Sequence, residues 1–131
     1  MTREEELMAR VASCVCGALR VTCAGEPTKV SVCHCLACQK RTGSSYGVAA
    51  FFDRQRVQVE GASSRYSRQS DRGFPVTFHF CSTCGSTVYW EPQRMPDTIA
   101  VGIGSFADPD FPHPTQAVYE QHRHSWVNLE L

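Results

Sequence analysis

A mainly β fold with few short helices is predicted for this chain, partly stapled by metal. Two observations carry the prediction. Short runs rich in Val, Thr, Phe and Tyr recur between Gly, Pro and Asp, and eight cysteines fall into tight groups. In chain order the strand-forming runs are "ALRVTC" (18–23), "KVSVC" (29–33), "YGVAAFF" (46–52), "RVQVE" (56–60), "SRYS" (64–67), "VTFHF" (76–80), "STVYW" (86–90) and "TIAVG" (98–102). Many short strands at close spacing point to a sandwich or rolled sheet. Helical signals are confined to the acidic amino-terminal segment and a turn or two after Cys35. The longest apparent loop, 102–114, reads equally as the wall of a site or as a surface crossover.

At 131 residues, with 42% hydrophobic and 20% charged side chains, the chain suits one domain with its own core. Neither a secretory apolar run nor a membrane-length segment is visible, which predicts a cytoplasmic protein with no membrane partner. Thiols stay reduced in that compartment, so the cysteines are better explained by metal than by disulfides. The formal charge is zero. Four thiolates on one zinc and three on another bring it to about −3, which argues against nucleic acid as a partner.

"CVCG" supplies Cys14 and Cys16, and "CSTCG" supplies Cys81 and Cys84. Such turns aim sulfurs at one point while backbone amides donate to them, and Gly17 and Gly85 permit the left-handed geometry. Four thiolates leave zinc no open position, so this site is expected to be structural. "CHCLAC" supplies Cys33, Cys35 and Cys38, with His34 directed away from the sulfurs by strand alternation. Three ligands leave a position for water or substrate, as in catalytic zinc sites. A fourth ligand drawn from Cys23, His34, His79, His122 or His124 would close it instead.

The order C-x-C-G, C-H-C-x-x-C-x-K with a following glycine, then F-C-x-x-C-G-S resembles the glutathione-dependent formaldehyde-activating enzymes, or S-(hydroxymethyl)glutathione synthases, and their relative centromere protein V. The likeness runs from about Ser13 to Trp126 and includes Lys40, Gly43, Ser44, Asp108 and Pro109. It implies a β-tent similar to methionine sulfoxide reductase B, a structural zinc on Cys14, Cys16, Cys81 and Cys84, and a second, catalytic zinc on Cys33, Cys35 and Cys38. One position departs: Ala117 stands where relatives often carry histidine.

These readings combine into a zinc-dependent carbon–sulfur lyase with two zincs per chain, whose partners are a small-molecule thiol and an aldehyde. Lys40 and Arg41, next to the last ligand, are candidates for electrostatic support of an anionic thiol. Arg54, Arg56, Arg65, Arg68 and Arg72 are either carboxylate holders or a solvated basic surface. Two other readings are a zinc-stabilised interaction module and a thiol redox enzyme acting through Cys23.

Overall fold

The computed structural model describes residues 2–4 and 8–131. Within the acidic amino-terminal segment predicted to be helical, residues 5–7 lie outside the described residues. Among the described residues, ten strands form two sheets. The smaller has the order β1-β2-β5, from Arg10–Ser13, Arg20–Cys23 and Val57–Glu60. The larger has seven strands: β3 Lys29–Cys33, β4 Gly47–Asp53, β6 Ser63–Gln69, β7 Pro75–Cys81, β8 Thr87–Pro92, β9 Thr98–Gly102 and β10 Gln116–Val118. Their order is β10-β3-β4-β9-β8-β7-β6. Every pairing is antiparallel except that of β10 with β3. A seven-residue helix, α1 (Leu36–Thr42), links β3 to β4.

Alternation gives the large sheet two apolar faces with different tasks. Val30, Phe52, Val88, Ile99 and Val101 join Ala12, Leu19, Val21 and Cys23 of the small-sheet region in one buried core. The other face carries a smaller cluster of Ala49, Phe78, Trp90 and Ala100, with Phe51 and Val76 against it. The loop after β9 enters the main core: Phe106 and Phe111 stack at 4.5 Å, and Phe106 meets Phe52 at 6.1 Å. The loop is therefore anchored by apolar burial, with a 3-10 turn over Ile103–Phe106, and its residues 102–105 and 107 also line a cleft.

On β7 and β8, His79 is buried, stacked on Tyr89 at 4.3 Å, and bonded to Ser63 Oγ at 3.2 Å and Glu91 Oε2 at 2.7 Å. Burial pushes the Glu91 carboxyl up, but the His79 contact and the Arg54 ion pair at 2.8 Å outweigh it and leave it below the ordinary carboxylate value. A lowered folded value stabilises the fold above the unfolded value and is lost as pH falls through the folded one. The urea midpoint should therefore drop on acidification through the carboxylate range, and Glu91→Gln should flatten that drop. An identical pH profile for the variant would contradict this.

Candidate metal centres and the adjoining clefts

Cys14 follows β1, Cys16 lies in the next turn, and Cys81 and Cys84 bracket the turn between β7 and β8. The four sulfurs lie within 4.8 Å of one another, with Cys16 at 3.6 Å from both Cys14 and Cys81. Tetrahedral zinc with Zn–S bonds of about 2.3 Å places its sulfurs about 3.8 Å apart, so this donor set fits zinc. The backbone amide of Leu19 donates to Cys14 Sγ at 3.2 Å, and those of Thr83 and Cys84 to Cys81 Sγ at 3.4 and 3.5 Å. The Ser86 hydroxyl, 3.4 Å from Cys84 Sγ, pulls that thiol down to about 5. Gly17 (φ 82°) and Gly85 (φ 79°) make the left-handed turns that bring each pair to the point.

At the other cluster, Cys33 ends β3, Cys35 caps the amino end of α1 by accepting from the Cys38 amide at 3.3 Å, and Cys38 occupies the first helical turn. Their sulfurs also lie within 4.8 Å of one another. The Cys33 and Cys38 sulfurs hold the Cys35 thiol far below its ordinary value, against the opposing effect of burial. Hydrogen bonding to Cys35 drives Cys33 the other way. Negative charge thus gathers on Cys35, with two further soft donors at the same point, which suits a thiophilic cation.

Among the described residues no fourth His, Cys, Asp or Glu joins this group. None of the alternative ligands Cys23, His34, His79, His122 and His124 belongs to the group. Cys23 lies fully buried in the main core, where burial pushes its thiol up to about 12, the opposite of what a reactive thiol needs. His34 is buried beside Tyr46 at 5.7 Å, His79 serves Glu91, and His124 bonds Gln39 Oε1 at 2.9 Å. Gln39 also donates to the carbonyls of His34 and His122, tying α1 to the carboxy-terminal segment. Ala117 pairs with Val32 and lines a small cavity with His34. A histidine there would face away from the cleft that Cys33 lines.

Two clefts meet beside α1 at Arg68 and Phe78. The first is lined by Ala37, Lys40, Arg41, Tyr66 and Arg68 among others. Lys40 is exposed at its rim, while Arg41 lies over the Trp90 ring at 4.4 Å. The second, about 220 Å³, contains Cys33 and Cys38 in its wall together with Ser31, Phe51, Trp90 and Tyr119. Arg68 and Arg72 of the arginine-rich segment reach this cleft, whereas Arg54 pairs with Glu91 and Arg56 approaches Gly25. Arg94 and Tyr119 line it too, and sequence reasoning missed both. Tyr119 has a left-handed backbone (φ 56°), for which a bulky residue gives no signal.

A β-sheet protein with a four-thiol and a three-thiol cluster, each able to hold a metal ion and the latter open onto a cleft, is the class that this geometry defines. The chain belongs to the glutathione-dependent formaldehyde-activating enzyme family, whose profile matches residues 9–122. It is 30% identical over 125 residues to a Halomonas elongata protein named "Putative glutathione-dependent formaldehyde-activating enzyme", covering 90% of this chain and 79% of that one. The crystal structure of a Rhodobacter sphaeroides protein superposes with a TM-score of 0.62 at 20% identity, covering 82% of this chain and 98% of the other. That likeness concerns the fold alone.

Proposed function

We propose that this chain is a zinc-dependent carbon–sulfur lyase that adds a thiol, glutathione or similar, to a small aldehyde such as formaldehyde, or reverses that addition, in the cytoplasm. The observation that carries the reading is the Cys33, Cys35 and Cys38 cluster, which lacks a fourth protein donor among the described residues and has two of its members in a cleft wall. Support for the substrates comes from the family and from the name of the Halomonas relative.

Cys33, Cys35 and Cys38 would hold the second zinc, and Cys14, Cys16, Cys81 and Cys84 the structural one. Zinc in the three-thiol site would supply the positive charge that keeps an incoming thiol ionised and polarises a carbonyl oxygen. Lys40, Arg41 and Arg68 surround the neighbouring cleft, and no Asp or Glu among the described residues lines it. They would hold the glutathione carboxylates and present its sulfur to the cluster, an orienting role. In the addition the sulfur–carbon bond forms and the thiol proton ends on the former carbonyl oxygen.

Elemental analysis of protein purified without added zinc should find one metal ion for each cluster. Glutathione should alter the release of one of them under a mild chelator. Two equally inert ions, or no acceleration of S-(hydroxymethyl)glutathione formation followed by NMR, would overturn the reading. Lys40→Met should raise KM for glutathione about two- to fivefold with kcat unchanged, the range of an exposed ion pair. No change in KM would remove Lys40 from the site.

A further inference from the structure

On the large-sheet face shared by Cys33, the central strands carry unusually small side chains. Ser31 pairs with Ala49 and Ala49 with Gly102, while Ala100 lies between Phe51 and Trp90. The opposite face of the same strands is filled by Val30, Phe52, Ile99 and Val101. A slot results, with Cys33 and Cys38 at one end and Phe51, Phe78 and Trp90 along its sides. Arg72 and Arg94 line it near the other end, beyond β6 and β8. The rise of β3 between these ends is about 13 Å.

A hydroxymethyl group from formaldehyde would occupy only the thiol end of this slot. The peptide of glutathione suits the remainder poorly, because its amides would lose water against the mostly apolar stretch of Ala49, Phe51, Val76, Phe78 and Pro92. No carboxylate among the described residues lines the slot, and Arg72 and Arg94 make no ion pair or hydrogen bond among those residues. An apolar floor ending in two free guanidinium groups matches a ligand with an apolar body and an anionic end.

We propose that the slot takes the carbonyl-derived half of a hemithioacetal, and that this half is an aryl-sized apolar group ending in a carboxylate. The inference rests on the thiol–aldehyde reading above and names the class of aldehyde. The step stays an addition: a sulfur–carbon bond forms, the carbonyl π bond breaks, and the thiol proton passes to oxygen, so nothing is oxidised or reduced.

The test is calorimetric titration of the zinc-loaded full chain with S-methyl-, S-benzyl- and S-(4-carboxybenzyl)glutathione. S-benzylglutathione should bind at least about tenfold more tightly than the S-methyl derivative, as burial of a phenyl group predicts. The added carboxylate should improve binding by about threefold or more, and the Arg72→Gln/Arg94→Gln chain should lose that gain alone. Both arginines are exposed, so the fold should tolerate the change. Equal affinity for the S-methyl and S-benzyl derivatives, no gain from the carboxylate, or no binding of any of the three would overturn the proposal. Formaldehyde turnover with flat affinities would sink the slot and keep the lyase reading; ordered affinities without turnover would do the reverse.

Discussion

Cys84→Ser is expected to cost the protein its fold. The four-thiol cluster joins the end of β1, in the small sheet, to the β7–β8 turn of the large one. Those segments are about 65 residues apart, as the contact between Cys16 and Cys81 records (|i−j| = 65). Zinc binding at structural sites contributes about 10–16 kcal/mol of apparent free energy, comparable with or larger than the roughly 5–15 kcal/mol net stability of a domain. Serine cannot reproduce a thiolate, and the Cys84 thiol is already held down to about 5 by Ser86, which favours its ionised form for a metal. Purified Cys84→Ser protein should hold at most one zinc and show no cooperative thermal transition. Two zincs and an unchanged melting temperature would refute the structural role.

Much of this architecture was legible because the signals are local. The runs 29–33 and 98–102 coincide with β3 and β9, since each is a β-branched segment closed by turn residues. Each cysteine pair and the triplet were readable from local spacing, whereas the meeting of the two pairs, 65 positions apart, depends on the fold; the sulfurs of each group lie within 4.8 Å of one another. The helix after Cys35 was visible only as a turn or two, because a cysteine side chain supplies its cap in place of Ser, Thr, Asn or Asp. β1 and β10 were not legible. β10 has three residues and exists by pairing with β3, about 85 positions away, as the Gln116–Ser31 hydrogen bond illustrates (|i−j| = 85). No window of sequence contains that information.

Site membership divides along the same line. Arg54 and Arg68 look alike in the sequence, yet one neutralises Glu91 while the other lies over Phe78 beside the thiols. Their difference comes from sheet register: Arg68 pairs with Val76 and so shares the face of Phe78, whereas Arg54 lies in the turn after β4. Ala117 carries the complementary lesson. In the sequence it stands only as a departure from the family pattern, and its pairing with Val32 turns it toward His34 and away from the cleft.

The contrasting substitution, Cys35→Ser, should leave the fold intact and remove the second metal with the activity. Cys35 lies in a loop-to-helix junction within one local segment, so its sulfur closes no contact between the two sheets. The Cys38 amide that donates to it can donate to a serine oxygen instead, and serine is a better helix cap than cysteine. Stability lost through the cap should therefore be small, within about 1 kcal/mol. The chemistry has no such substitute: Cys35 is the member of the triplet on which negative charge gathers. Without it, only the Cys33 and Cys38 sulfurs are left to bind a cation. Elemental analysis should therefore find the four-thiol zinc alone, circular dichroism should match the parent, and adduct formation should fall to the uncatalysed rate. Full metal content would show that the second site does not depend on this cysteine, whereas an unfolded chain would make Cys35 a structural residue of the same kind as Cys84.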